Sequence, residues 1–322
     1  MIKEDILDGC KIQIGLSACL SGDEVRYNGQ AAEDKFVSQQ LSRFFDYVKI
    51  CPEMSIGMGT PRETVRIVED GGLKLRNRDG SNDYTDRMNS FVKKSVSEMS
   101  AHKLCGFIFK KGSPSCGAFR VKVYDNKGVT QRHDESGFYA KAFKEKYPWL
   151  PVEEDGRLND PGLRHNFISR VFAVRRWQIM IEESPSIKGL VAFHQKHKYM
   201  LMSYSQDGLR ELGRIVANKE GLDPETACTK YLQKFTELTS KPASRSKHAN
   251  VLYHMFGYFS REIDDFDRHE TIDLIEKYRE GIIPLILPVI RISHYVRKLR
   301  VKYLLGQAYL VYPEELGVLN KL

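Results

Sequence analysis

Lys11-Ile-Gln-Ile-Gly-Leu16-Ser-Ala-Cys19-Leu-Ser-Gly22 joins two kinds of sequence. Lys11–Leu16 carries apolar residues at alternate positions and reads as a β-strand. The small and polar residues that follow read as a loop. The same join occurs twice more. Tyr47-Val-Lys-Ile50 is a strand ending in Cys51-Pro52-Glu53, and Leu104–Phe109 is a strand running into Lys110-Lys-Gly-Ser113-Pro-Ser-Cys116-Gly117. A helix is expected over Ala32–Phe45, with Phe36, Val37, Leu41, Phe44 and Phe45 apolar. Another opens at Asp83, where Met88, Val92, Val96 and Met99 mark one helical face. This β-α-β-α-β order implies a largely parallel sheet, an α/β domain of Rossmann-like kind. Ligands of such sheets bind beyond the carboxyl ends of the strands. Each of the three loops there carries a cysteine, so residues far apart in sequence converge on one point.

Outward from these strands, Val65–Val68 and Leu73–Leu75 form a short β excursion. Asp125-Asn-Lys-Gly128 is a turn, and helices are expected over Phe138–Tyr147 and Asn166–Glu182. Ser184-Pro-Ser-Ile-Lys188 breaks the helical pattern. The boundary is placed there, giving a first domain at 1–183 and a smaller all-α domain at 184–322. Helices are expected in the second at 189–203, 208–218, 224–238, 249–259, 264–281 and 288–309.

The chain has 322 residues, 41% of them hydrophobic, which suits about two domains with their own cores. Mean hydropathy is −0.43, and no apolar run reaches the roughly 18 residues of a membrane span. Met1-Ile-Lys-Glu-Asp5 has acids where a signal peptide has bases. The expectation is a soluble, cytoplasmic protein with no membrane partner. Net charge is +8, with an excess of four in each half, so only local clustering can argue for nucleic acid.

Six cysteines without a CxxC pair exclude zinc-ribbon and thioredoxin-type motifs, and a cytosolic chain of this size is no disulfide scaffold. Cys10, Cys105 and Cys228 read as small buried hydrophobes. Cys19, Cys51 and Cys116 differ, because each sits in a Gly/Pro/Ser loop after a strand. Three thiolates with no nearby histidine suit an iron–sulfur cluster better than zinc. A 4Fe-4S cluster on three cysteines leaves one iron open, to act as a Lewis acid or bind a soft atom. Glu53 lies two positions after Cys51 and reads either as a general base or as a turn cap. Ser113, three before Cys116, reads either as a hydrogen-bond donor to a reacting atom or as a turn residue. Lys110, Lys111 and Arg62 either hold a phosphate or carbonyl or are simply solvated.

Three segments carry a resemblance: Leu16-Ser-Ala-Cys19-Leu-Ser-Gly22-Asp-Glu-Val-Arg26-Tyr-Asn28-Gly29, then Cys51-Pro-Glu53 with Thr60-Pro-Arg62, then Lys111-Gly-Ser113-Pro-Ser115-Cys116-Gly117. Together with Arg157-Leu-Asn-Asp160 and Arg164-His-Asn166, they resemble the thiouracil desulfidase family across the first domain. The resemblance implies a 4Fe-4S cluster on Cys19, Cys51 and Cys116, with catalytic roles for Glu53 and Ser113. Substrate contacts are expected within the same segments, at Arg26, Asn28, Arg62, Lys111 and Ser115. The second domain resembles a module fused to such domains, through His197-Lys-Tyr199, Asn250-Val-Leu-Tyr-His254, Gly257-Tyr258 and Gln307-Ala-Tyr309. The fused form is similar to the tRNA 4-thiouridine desulfidases, which implies tRNA as substrate.

Gly281–Pro313 contains no acid but holds Arg291, His294, Arg297, Lys298 and Lys302, with Tyr295 and Tyr303 interleaved. On one continuous helix 291, 294, 298 and 302 share a face, which is a basic stripe suited to RNA. The competing readings are a desulfidase of free thiolated pyrimidines with a structural second domain, and a cluster-bearing sensor without turnover. No protein partner is expected, and the oligomeric state is left open.

Overall fold

Strand β1 (Ile12–Ser17) is buried on both faces, as the middle of a parallel sheet requires. It is flanked by β2 (Phe45–Ile50), and eight strands are formed among the described residues, which are 11–183 and 185–311 of a computed structural model. The others are β3 (Val65–Glu69), β4 (Leu73–Asn77), β5 (Phe107–Phe109), β6 (Val121–Tyr124), β7 (Thr130–Glu135) and β8 (Val152–Glu154). Met1–Asp5, Cys10 and Ser184, read above from sequence, lie outside the described residues.

The first sheet has the order β2-β1-β5-β8, and every pairing in it is parallel. Gly15 lets β1 and β5 close up, since a Cβ there would sit 2.1 Å from Phe107 Cδ2. Phe107 in turn stacks on Phe109 at 3.9 Å. The expected α/β architecture is thus present, with the three cysteine loops leaving three adjacent strands at one edge.

A second sheet, order β4-β3-β6-β7, was not expected from sequence. It joins two antiparallel hairpins through a parallel β3–β6 pairing. Its core is small, centred on Ile67, Val121 and Val123. The sequence Thr130-Gln-Arg-His-Asp-Glu135 of β7 has no apolar alternation, which is why only its turn was legible.

Helices among the described residues are α1 (Pro52–Ser55), α2 (Thr85–Glu98), α3 (Phe138–Lys146), α4 (Pro161–Glu183), α5 (Ile187–Tyr204), α6 (Gln206–Ala217), α7 (Pro224–Thr239), α8 (Arg245–Phe256), α9 (Asp265–Glu280), α10 (Ile286–Lys298) and α11 (Lys302–Leu305). The helix expected over Ala32–Phe45 is shorter and irregular, a π turn at Phe36–Gln40 followed by a 3-10 turn at Leu41–Arg43. Residues 31–34 are not helical; the Ala32 and Asp34 amides bond the Cys19 and Leu20 carbonyls and pin this lead-in against the first cysteine turn. Asp34 then caps the Phe36 and Val37 amides. The apolar positions are nevertheless buried as expected.

By internal contact the chain divides after Arg175, within α4, into two compact units. The second is helical throughout. Ser186, Ser205, Asp223, Ser244 and Asp264 each cap a helix by accepting the amide three residues on. Trp177, Phe193, Tyr231 and Phe235 form its aromatic centre. The single helix expected over 288–309 is two helices. α10 ends at Lys298, and Arg300 takes φ +52° before α11 begins. No described helix is long and apolar enough to cross a membrane.

Candidate metal centre

Each cysteine is fixed by the turn that ends its strand. Cys19 lies in a 3-10 turn, Ala18–Ser21, closed by Gly22 at φ +97°. Cys51 is the N-cap of α1, with Pro52 at the first helical position, where its missing N–H costs nothing. Cys116 lies in a turn organised by Ser113, whose Oγ accepts the Ser115 amide at 3.2 Å and the Cys116 amide at 3.0 Å. Gly117 closes that turn, and a Cβ there would meet the Ser113 carbonyl oxygen at 2.8 Å. Ser17, at the end of β1, accepts the Lys110 amide at 3.0 Å, tying the first of these loops to the third.

The three thiols, Glu53 and Ser113 line one cavity of about 250 Å³. Burial pushes the Cys19 thiol up to about 11, against the pull of the Lys110 charge. Burial also raises Cys51 and, most of all, Cys116, and each of the three thiols feels the charge of at least one other or of Glu53. Three buried thiolates cannot coexist uncompensated, which suits a cationic, sulfur-loving centre. The lining contains no histidine. Among the described residues, no group of three or more His, Cys, Asp or Glu is gathered as around one metal ion. Cys105 and Cys228 are buried elsewhere.

Glu53 is held on both oxygens. Oε2 accepts Arg62 Nε at 3.0 Å and Nη2 at 2.5 Å, while Oε1 accepts the Ser115 hydroxyl at 3.0 Å. The pair is shielded, with the Arg62 side chain 5% exposed and Glu53 15%. Arg62 also donates to the Val25 and Gly59 carbonyls and to Met54 Sδ. A guanidinium has five N–H donors, so none is left over. Of the other expected substrate contacts, Arg26 and Lys111 line the cavity. Ser115 is buried and does not, and Asn28 is exposed and bonded to Gln30.

Three residues of the site escaped the sequence reading. Tyr27 lines the cavity and is 42% exposed, with Arg26 stacked over its ring. Ser17 is the bridge described above. Asp155 follows β8, accepts the Lys111 amide at 2.8 Å and pairs with the Lys110 ammonium. The strand-end rule would have found Asp155 had the three residues of β8 read as a strand.

The expected RNA residues separate in the second unit. Arg291 pairs with Asp267 at 2.8 Å and lies over Tyr295. His294 and Lys298 are exposed and Arg297 is half-buried on α10. Lys302 belongs to α11, so the continuous stripe is interrupted at Arg300.

The family model described as 2-thiouracil desulfurase matches residues 14–155, and that of a family of unknown function, DUF1722, matches 198–313. The uncharacterized protein YbbK of Bacillus subtilis strain 168 is 33% identical over 132 residues, 36% of this chain and 84% of its own length. The uncharacterized protein YbgA of Escherichia coli strain K12 is 33% identical over 141 residues, 44% of this chain and 83% of its own. The chain belongs to the 2-thiouracil desulfurase family. A helical DUF1722 module follows in the same chain. Among solved structures, the 4Fe-4S-dependent thiouracil desulfidase TudS aligns with 46% of this chain and 93% of its own, at a TM-score of 0.38 and 24% identity. The family match spans the three cysteine loops, Glu53, Arg62 and Ser113, so the desulfurase match and the cavity coincide in sequence.

Proposed function

We propose that this protein removes sulfur from thiolated pyrimidines without net electron transfer, acting on 4-thiouridine in tRNA to give uridine and hydrosulfide. The observation that carries the reading is one cavity holding three strand-end thiols beside a fixed carboxylate, in a chain of the 2-thiouracil desulfurase family. Cys19, Cys51 and Cys116 would hold a 4Fe-4S cluster, whose open iron supplies Lewis acidity toward a soft sulfur atom.

The chain's own groups do the proton work. A carboxylate offers about four lone-pair sites. Arg62 takes two on Oε2 of Glu53 and Ser115 takes one on Oε1, which leaves one on Oε1 for a water. That water gives a proton to Glu53 as its oxygen bonds to the ring carbon bearing sulfur. The C–S bond then breaks, sulfur leaves as hydrosulfide, and the carbon keeps its oxidation level. Ser113 has the complementary capacity. Both its lone pairs accept backbone amides, so only its O–H remains to donate toward a ring atom. The acid-free stretch with exposed His294, Lys298 and Lys302 supports a polyanionic substrate.

Anaerobic reconstitution and incubation with 4-thiouridine-containing tRNA tests the reading, following loss of the base's near-ultraviolet absorption. Glu53→Ala should keep the visible absorbance of the cluster and lose turnover. Full activity in that variant removes the general-base role. Hydrosulfide from free 4-thiouridine but none from tRNA would move the substrate to the free nucleoside.

A further inference from the structure

The break between α10 and α11 builds a surface that a continuous helix would not. Arg300 sits in the left-handed region, where a side chain is strained. Past it, Tyr303 of α11 is laid against Tyr258, just beyond the end of α8. The two rings stack at 5.6 Å with 14° between their planes. Yet they remain 44% and 45% exposed. A tyrosine pair packed for stability alone would bury its faces.

The pair is braced. Tyr199 is buried and in edge contact with Tyr303 at 6.4 Å. Lys198 donates to the Tyr303 hydroxyl at 3.0 Å, and its ammonium lies 5.4 Å from the ring centre. The rings are thus oriented before anything binds, which lowers the entropy lost on binding. Lys302 is next to Tyr303 in sequence, and Lys298, Arg300 and Lys302 are exposed in a stretch of chain without an acid.

Exposed aromatic faces beside an ammonium match one chemistry best. A nucleotide brings a base to stack and a phosphate to neutralise the ammonium groups. An apolar protein surface would strand the cations against it. We infer that Tyr258, Tyr303 and Lys198 form a stacking platform for an unpaired nucleotide of RNA. This rests on the tRNA reading above and locates one of its contacts in the second unit.

The test uses the full chain and a fluorescently labelled, unmodified tRNA transcript, with anisotropy read over a range of salt. Tyr258→Ala with Tyr303→Ala should weaken binding about tenfold or more, with little change in salt slope. Tyr258→Phe and Tyr303→Trp, which keep a ring, should bind within about twofold of the parent. Lys198→Ala should lower the slope by about one. A single-stranded competitor should displace the transcript better than a duplex of equal length. The platform is overturned if the double alanine variant, with an unchanged melting temperature, binds like the parent. It is equally overturned if the aromatic replacements lose as much as alanine, or if the variant alters self-association instead of RNA affinity. Parent binding with unaffected variants removes the platform and leaves the tRNA reading standing. A parent without salt-dependent tRNA affinity removes both.

Discussion

The two units gather their chemical groups in opposite ways. In the first, Cys19, Cys51 and Cys116 are distant in sequence and meet because three adjacent parallel strands end at one edge. In the second, Arg291 and Lys302 are close in sequence and part company because the helix carrying them stops at Lys298. Convergence at a sheet edge requires only that each strand end where it should. A helical stripe requires every residue along it to stay helical, and one residue with positive φ is enough to undo it.

The largest expected effect strikes the sheet edge. Cys51→Ala should abolish both visible absorbance and desulfidation in reconstituted protein, while tRNA affinity stays within about twofold of the parent. Loss of both together would tie the units more closely than their separate cores suggest. Next comes Arg62→Ala. It leaves Glu53 shielded without its partner, and breaking such a buried pair costs about 3–5 kcal/mol. Denaturant unfolding should show that loss. Arg62→Lys should recover only part of it, because an ammonium cannot donate to Glu53, Val25 and Gly59 through one planar fork.

Legibility follows the same division. The strand-end placement of the cysteines was readable because β1, β2 and β5 carry strand-like apolar patterns followed by Gly, Pro and Ser. β8 and Asp155 were not, since Val-Glu-Glu carries no strand signal. Arg62 was readable as part of the site but not as the clamp on Glu53, because its five hydrogen bonds go to four separate positions and include two carbonyls. The Ala32–Phe45 helix came out short and irregular because hydrophobic spacing reports which side is buried, not where the chain is pinned to another loop. In the second unit the helices before the last were found with their approximate ends, since capping residues are local, but the last was read as one helix where there are two. The Lys298-Leu-Arg-Val-Lys302 break offers no Gly or Pro to announce it.

Smaller effects sharpen the contrast within each unit. Gly15→Ala should cost about 1–3 kcal/mol, through overpacking against Phe107 at the centre of the first sheet. A thermal shift without change in tRNA affinity is the expected signature. On α10, Arg291→Ala should act mainly through lost pairing with Asp267 and lost packing on Tyr295, about 1 kcal/mol or less. Lys298→Ala should leave stability within about 0.5 kcal/mol and lower the salt slope of tRNA binding. Equal slopes for the two variants would mean that Arg291 meets phosphate despite its pairing with Asp267.

The smallest effect bears on the break itself. Arg300 holds φ +52°, a conformation that glycine adopts without a Cβ clash. Arg300→Gly therefore relieves about 1–2 kcal/mol in the folded chain, while glycine's greater freedom when unfolded takes back about 0.5–1 kcal/mol. The net gain is about 1 kcal/mol or less, visible as a slightly higher denaturant midpoint at unchanged slope. Arg300→Ala keeps the strain and should show no such gain. A destabilised glycine variant would mean that α10 and α11 are not parted by a left-handed residue, and the basic stripe could then run on as one helix through Lys302.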